Sequence, residues 1–242
     1  MRIGATIEAR MGSTRLPGKV LLPAAGKTML AHLIDRLKQV PSLHAIVLAT
    51  TTNATDDGLI DLAKREGIQW WRGSEEDVLG RVLDAARSVS ADVIVETLGD
   101  CPILDPQLVE QVIQTFLHNE CDYAGNSRVR CYPRGMDVQV FATVALARSA
   151  ALTNDPADRE HVSVHIHDHQ ELFRQINLIA PPDLTWPELG LTLDTQEDYL
   201  FLKRIIEHFG ESQPYFGCRD VIELLRGKPE WVAMNASVQR RG

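Results

Sequence analysis

The chain has 242 residues, enough for one large or two small domains and for a full hydrophobic core without disulfide or metal support. Hydrophobic residues make up 44% and charged residues 24%, which is typical of a globular protein and excludes a disordered or fibrous chain. With 25 Lys and Arg against 33 Asp and Glu, the net charge is −8, which argues against binding nucleic acid or a membrane surface.

The first half of the chain alternates strands and helices. Apolar runs, helical spacing and capping residues predict strands at residues 3–9, 45–50 and 92–97 and helices at residues 29–37, 56–66, 74–89 and 106–118. This alternation predicts an α/β fold with a mainly parallel central sheet and helices on both faces.

The pattern is less regular after about residue 120. An irregular loop at 127–134 is followed by predicted strands at 137–141, 173–180 and 189–194 and predicted helices at 156–167, 195–209 and 219–225. A capping box of Thr195 and Asp198 opens the penultimate helix. No linker is evident, so we expect a single domain over residues 1–242, with an acceptor-binding or dimerisation sub-region at about 120–190.

The loop at residues 10–19 combines the groups that bind a polyphosphate. It places Arg10, Arg15 and Lys19, the hydroxyls of Ser13 and Thr14, and two glycines directly after a buried strand. Backbone N–H groups and converging cations at that position bind phosphate oxygens in open α/β sheets. The chain has neither a Walker A loop nor a GxGxxG fingerprint, which excludes kinase-type and Rossmann-type cofactor binding.

Two aspartates follow predicted strands and could face this loop. Asp100 lies in the turn after the strand at 92–97, and Asp194 ends the predicted strand at 189–194. Carboxylates at strand ends suit a hard divalent cation, so the pair predicts a magnesium–triphosphate site. Cys101 lies nearby, but a neighbouring carboxylate disfavours its thiolate, and nucleophilic catalysis is not expected.

Other metal and redox sites have less support. His161 and His165 share one face of a predicted helix, but without a glutamate in HExxH fashion a wet or partly packed helix is favoured over a zinc site. The four cysteines form no CxxC pair, and no apolar run approaches a membrane span. A cytoplasmic protein is therefore expected, with no membrane or nucleic-acid partner.

Seven segments of the chain resemble the CMP-sugar cytidylyltransferase family. The most specific is IEARMGSTRLPGKVL at residues 7–21, and weaker matches follow in the family's order at 72–81, 99–106, 122–126, 132–141, 159–162 and 191–199. The family includes acylneuraminate and 3-deoxy-manno-octulosonate cytidylyltransferases, and the branch most similar to this chain is the spore-coat polysaccharide type.

The resemblance implies a three-layer GT-A-like nucleotidyltransferase fold, CTP as donor and Mg²⁺ as cofactor. It implies a site that is made of residues with four roles. By this resemblance the catalytic residues are Arg10, Lys19, Asp100 and Asp194, and the metal is bound by Asp100 and Asp194. The nucleotide is bound by Arg10, Gly12, Ser13, Arg15, Lys19, Arg72 and Ser74, the last two at the cytosine. The acceptor is bound by Asn126, Arg134, Glu160 and His161.

Three positions depart from the family pattern on the acceptor side. Glu96 stands where arginine is expected, Gln139 where glutamate is usual, and Gly190 where arginine is usual. Because Gly190 cannot bind an acceptor's carboxylate, we expect at least one arginine of the loop at 127–134 to do so. These arginines are Arg128, Arg130 and Arg134.

The leading hypothesis is an enzyme that transfers CMP from CTP to an acidic sugar, with release of pyrophosphate, for surface polysaccharide assembly. Two alternatives stay open from the sequence. One is a sugar nucleotidyltransferase of the same fold that uses GTP or another nucleotide, and the other is a non-catalytic nucleotide-binding subunit. Homodimerisation also stays open.

Overall fold

The computed structural model describes residues 1–240, which contain nine strands and ten α-helices. The strands are β1 Ile3–Glu8, β2 Pro23–Ala24, β3 Lys27–Thr28, β4 Ala45–Thr51, β5 Gln69–Gly73, β6 Val93–Leu98, β7 Tyr123–Gly125, β8 Gln139–Ala142 and β9 Gln175–Asn177. The helices are α1 Met29–Leu37, α2 Asp57–Glu66, α3 Val78–Ser88, α4 Pro106–Leu117, α5 Thr143–Leu152, α6 Pro156–Glu160, α7 Val164–Asp168, α8 Gln196–Phe209, α9 Cys218–Arg226 and α10 Pro229–Val232.

Seven strands form one sheet in the order β5-β4-β1-β6-β8-β7-β9, and β2 pairs with β3 in a separate hairpin. The strands β5, β4, β1 and β6 run parallel, so their carboxyl ends meet at one edge. β8 runs antiparallel to both β6 and β7, and β9 is parallel to β7. The predicted α/β class with a mainly parallel sheet is confirmed.

A hydrophobic core fills each side of the sheet. The larger core packs α1, α2, α4, α8 and α9 against one face, and the smaller core packs α3, α5 and α7 against the other. Successive residues of β4 alternate between them, with Leu48 in the larger core and Val47 and Ala49 in the smaller. Each fully buried Leu, Ile or Val contributes about 1.5–3 kcal/mol to the free energy of folding. The two layers of helices therefore hold the strands of the sheet in place.

Three predicted helix ends are confirmed by their caps. Thr195 and Asp198 form the reciprocal capping box of α8. The Asp105 carboxylate accepts a hydrogen bond from the backbone N–H of Gln107, 2.7 Å away, at the start of α4. Gly67 ends α2 with φ 68°, a left-handed conformation that costs glycine little.

The second half of the chain departs from the predicted elements. The helix expected at 156–167 is two short helices, because the backbone of His161 leaves the helical region at φ −111° and ψ 82°. The strand expected at 173–180 is only β9. The strand expected at 189–194 is wrong: Gly190 makes a single bridge to Arg134, and the next residue, Gly135, has φ 96°, a left-handed conformation that does not continue a strand, and packs against Leu191.

Several elements were not predicted, namely the β2–β3 hairpin, β5, β7, α5 and α10. The strands β7, β8 and β9 of the less regular region extend the same sheet as β1. That arrangement agrees with the single-domain prediction, which stays a prediction. Over the described residues, no helix has the length and apolar character needed to cross a membrane.

Candidate active site

The loop at residues 10–19 is folded back on itself over the carboxyl end of β1. The carbonyl oxygen of Met11 accepts hydrogen bonds from the N–H groups of Ser13 and Gly18, at 3.0 and 3.1 Å. Gly18 has φ 70°, which makes this close turn accessible without the strain that a side chain would add. Asp56, which is 1% exposed, accepts the N–H of Met11 at 2.8 Å. Asp56 therefore anchors the loop, a role that the sequence did not predict.

A cavity of about 1010 Å³ lies between this loop and the carboxyl ends of the parallel strands. The structure brings together ten of the thirteen predicted site residues on its walls. They are Arg10, Gly12, Ser13, Arg15, Lys19, Ser74, Asp100, Glu160, His161 and Asp194. Cations from the loop thus share one cavity with two aspartates, as the sequence predicted.

Lys19 connects the two predicted metal-binding aspartates. Its ammonium lies 3.1 Å from a carboxylate oxygen of Asp100 and 3.0 Å from one of Asp194. Arg15 adds a second cation 2.9 Å from Asp194. The main chain brings the aspartates together, because the Leu193 N–H donates to the carbonyl of Asp100 at 2.8 Å.

The electrostatics keep this cluster ionised. Burial alone would raise the pKa of Asp194, but Lys19 and Arg15 lower it below its ordinary value. Burial alone would lower the pKa of the Lys19 ammonium, and the charges of Asp100 and Asp194 raise it overall. At neutral pH Asp194 is therefore a carboxylate and Lys19 a cation. The carboxylates thus already accommodate positive charge.

Cys101 is poorly suited to act as a nucleophile. Its thiol is 4% exposed and lies 3.5 Å from the Asp100 carboxylate. Burial, together with the negative charge of Asp100, raises the pKa of the thiol well above its ordinary value. The group stays protonated at neutral pH, which agrees with the expectation from the sequence.

The two residues assigned to the base differ in position. Ser74 lines the cavity, but its hydroxyl accepts the N–H groups of Glu76 and Asp77 in the turn before α3, at 3.2 and 3.0 Å. Arg72 is not among the lining residues. Its guanidinium donates to the carbonyls of Thr51 and Asn53 and to the Asp57 carboxylate, each at 2.7 Å. In this conformation Arg72 therefore braces the segment after β4 and does not face the nucleotide cavity.

Two residues assigned to the acceptor also lie outside the cavity. Asn126 is 1% exposed, donates to the Met136 carbonyl at 2.9 Å and accepts the Val138 N–H at 2.7 Å, so its amide pins a loop to β8. Arg134 lines a second cavity of about 550 Å³, together with Trp186 and Gly190.

The other loop arginines do not line the main cavity either. Arg128 donates to the carbonyl of His167 and to Gln175, and Arg130 is ion-paired with Asp137. In this conformation the structure does not bring any of the three arginines of the loop at 127–134 to the proposed acceptor position.

Glu160 and His161 do line the main cavity, at the end of α6. The break in the helix at His161 exposes this pair at the cavity mouth, whereas His165 is buried in hydrogen-bond contact with Ser149, 3.0 Å away. Arg159 fixes α6 to the start of α3 through an ion pair of 2.5 Å with Asp77. This wall of the cavity is therefore formed by a short, anchored helix.

A pair of glutamates lies on the neighbouring strands β1 and β6, at the wall of the cavity. Glu8 lines the cavity, and Glu96 lies behind it on β6, 6% exposed. The β1–β6 register pairs Thr6 with Glu96, which puts Glu8 and Glu96 on one sheet face. Burial raises the pKa of both, that of Glu96 to about 7, and Arg81 partly counteracts the rise at Glu8. A glutamate within each of two apolar strand sequences was the signal for this pair.

The arrangement of the loop, the cavity and the two aspartates suits a nucleoside triphosphate, since cations and carboxylates converge at the edge of the sheet where such ligands bind. The fold and the site thus define a nucleotidyltransferase. A family model described as cytidylyltransferase matches residues 5–220, and the chain belongs to this cytidylyltransferase family. It is a CTP-dependent nucleotidyltransferase, and the family resemblance seen in the sequence is confirmed.

Individual relatives agree with this assignment. The chain is 35% identical to the spore coat polysaccharide biosynthesis protein SpsF of Bacillus subtilis, over 93% of this chain and 94% of that protein. It is 38% identical to the 3-deoxy-manno-octulosonate cytidylyltransferase of Trichlorobacter lovleyi, over 54% of this chain and 52% of that enzyme. A solved cytidylyltransferase structure from Leptospira borgpetersenii superposes with a TM-score of 0.91 at 32% identity, covering all of both chains.

Proposed function

We propose that this enzyme transfers CMP from CTP to a hydroxyl group of an acidic sugar, with release of pyrophosphate, as a step in making a surface polysaccharide. The observation that carries the proposal is the Lys19 ammonium held between Asp100 and Asp194 in the main cavity. The names of two relatives support the sugar and the polysaccharide, one a 3-deoxy-manno-octulosonate cytidylyltransferase and the other a spore coat polysaccharide biosynthesis protein.

The loop at 10–19 binds the triphosphate in this proposal. Arg10, Arg15 and Lys19 neutralise its negative charge, and the Ser13 hydroxyl, which accepts the Leu16 N–H, can donate its own proton to a phosphate oxygen. As the acceptor hydroxyl attacks the α-phosphorus, charge builds on the pyrophosphate leaving group, and fixed cations stabilise it. Holding both reactants in line can contribute about 7–11 kcal/mol to lowering the barrier.

Asp100 and Asp194 fit a divalent cation, because two ionised carboxylates already surround a positive charge in the structure. Within residues 1–240 no group of three or more His, Cys, Asp and Glu side chains is placed to hold a metal, so the pair would share the ion with phosphate oxygens of the substrate. Bound there, Mg²⁺ would supply charge neutralisation and polarise a phosphoryl oxygen.

The acceptor would bind in the same cavity, against Glu160 and His161. A carboxylate there can accept hydrogen bonds from sugar hydroxyls, and the imidazole can donate one to the acceptor's own carboxylate. Arg81 also lines this part of the cavity and adds a cation near the carboxyl pair of Glu8 and Glu96. These contacts orient the acceptor hydroxyl toward the loop that holds the triphosphate.

We further propose a cytoplasmic location and a homodimer. Four free cysteines support a reducing compartment. Val144 and Leu152 support self-association, because both are exposed and lie two turns apart along α5. Light scattering of the purified protein tests the dimer.

Pyrophosphate release tests the central proposal. CTP, GTP, UTP and ATP are each combined with 3-deoxy-manno-octulosonate, with N-acetylneuraminate and with neutral mannose. Release with CTP and a sugar acid supports the proposal, provided that Asp194→Asn abolishes it and the surface variant Asp84→Asn does not. Release with GTP, or with mannose in preference to both acids, would overturn the donor or the acceptor assignment.

A further inference from the structure

The C-terminal segment of the described chain packs beside Asp194, against Gly190, Thr192 and Asp198. The guanidinium of Arg240 lies directly over Gly190, so close that a methyl group at position 190 would overlap it. The Arg240 side chain is 11% exposed. Because Gly190 has no side chain, the guanidinium of Arg240, a residue distant in the sequence, can pack directly against its backbone.

Arg240 makes two hydrogen bonds in this position. It donates to the hydroxyl of Thr192 at 2.8 Å and to the Asp198 carboxylate at 2.8 Å. Asp198 is fully buried, so its charge needs a cation close by. Asn235 donates to the same Asp198 oxygen at 2.8 Å and to the Gly190 carbonyl at 3.0 Å, which holds the segment at a second point.

Both partners of Arg240 contact Asp194. The Thr192 hydroxyl lies 3.2 Å from one oxygen of the Asp194 carboxylate. The second oxygen of Asp198 accepts the backbone N–H of Asp194 at 3.2 Å. Arg15, which is 2.9 Å from Asp194, also donates to the carbonyl of Gln239 at 3.3 Å. The C-terminal segment is thus linked to Asp194 indirectly, through Thr192, Asp198 and Arg15.

We propose that residues 235–240 are part of the nucleotide site and that Arg240 is a positioning residue for Asp194. This inference rests on the proposed function, because it assumes that Asp194 holds the divalent cation. Arg240 fixes the Thr192 hydroxyl and neutralises Asp198, and these two groups orient the carboxylate and the backbone of Asp194. Groups that orient a metal ligand affect metal affinity by about 10–100-fold when removed.

Calorimetry of CTP binding at several Mg²⁺ concentrations tests the role of Arg240. In Arg240→Ala, the Mg²⁺ concentration needed for half-maximal CTP affinity should rise about 10-fold, whereas CTP affinity without metal stays unchanged. Thr192→Val, which leaves the Arg240–Asp198 pair in place, should shift the same midpoint in the same direction. Arg226→Ala, an exposed arginine of α9, is the matched control and should not shift it.

Gly190→Ala is an independent variant, because it leaves residue 240 as arginine. Its methyl group would displace the guanidinium and should shift the Mg²⁺ midpoint as Arg240→Ala does. In the Gly190→Ala, Arg240→Ala double variant the two shifts should not add, because both act on one interaction. Additive shifts would overturn the inference.

A normal Mg²⁺ midpoint in both Arg240→Ala and Thr192→Val, with a large shift in Asp194→Asn, would overturn the inference and leave the proposed function standing. A normal midpoint in Asp194→Asn as well would overturn both.

Discussion

The Lys19 ammonium lies 3.0 Å from the Asp194 carboxylate, although 175 residues separate the two in the sequence. The parallel sheet explains this contact. The loop of Lys19 begins at the carboxyl end of β1, and the backbone before Asp194 is hydrogen-bonded to Asp100, which follows the neighbouring strand β6. Cation and carboxylate therefore meet because both belong to one edge of the sheet, which makes the site a property of the topology.

Removing the carboxylate of either Asp100 or Asp194 should abolish most of the activity. Asp100→Asn and Asp194→Asn should each lower turnover by about 100-fold or more, because each removes a charged ligand for a hard cation while keeping the side-chain size. The measurement is pyrophosphate release at saturating CTP. Circular dichroism and thermal melting should show an intact fold, and near-normal turnover in both variants would contradict the two-aspartate site.

The loop cations should discriminate between triphosphate and monophosphate. Lys19→Ala and Arg15→Ala remove charge-assisted hydrogen bonds, each worth about 1.5–3 kcal/mol, from the part of the cavity assigned to the polyphosphate. Calorimetry should therefore show a loss of roughly 10-fold or more in CTP affinity and a much smaller loss for CMP. Equal losses for the two nucleotides would mean that the loop does not bind the β- and γ-phosphates.

The sequence predicted that the loop at 10–19 and Asp100 share one cavity, because their placement depends on local order. The loop follows directly on β1, and Asp100 follows directly on β6, so the strand pattern alone places them at one sheet edge. The capping residues of α4 and α8 were predictable for the same reason. A short sequence window contained all the information that these features needed.

The acceptor half was less predictable, because its side chains have long-range partners. The amide of Asn126 donates to a backbone carbonyl that no motif reveals. The region around Gly190 makes one bridge instead of a strand, and the partner segment continues into Gly135, which has a left-handed backbone and packs against Leu191. The sequence also suggests that Gly190 leaves a cation missing, and only the fold brings Arg240 to that place.

Acceptor binding should depend on Glu160 and His161 and not on the loop arginines. Glu160→Gln and His161→Ala should raise the KM for the sugar by about 10-fold, the equivalent of one lost hydrogen bond to a charged group. CTP affinity should stay unchanged. Alanine at Arg128, which donates to His167 and Gln175 outside the cavity, is the matched control. A raised acceptor KM in that control alone would return acceptor binding to the loop at 127–134.

The buried Glu96 should make the stability of the protein depend on pH. Burial raises its pKa from the ordinary 4.5 to about 7, although the neighbouring Ser163 and Glu8 offset part of the rise. An acid whose pKa is higher in the folded state stabilises the fold while it is protonated. Its contribution is complete below pH 4.5 and is lost as the pH rises through 7.

Glu96→Gln removes this titration and keeps the size of the side chain. The free energy of unfolding of the variant, minus that of the wild type, should increase by on the order of 3 kcal/mol between pH 4.5 and pH 8. Urea unfolding at four pH values across this range measures the difference. Glu120→Gln, whose side chain is 93% exposed, should show no such trend. A Glu96→Gln difference that is constant with pH would mean that Glu96 stays ionised in the folded protein.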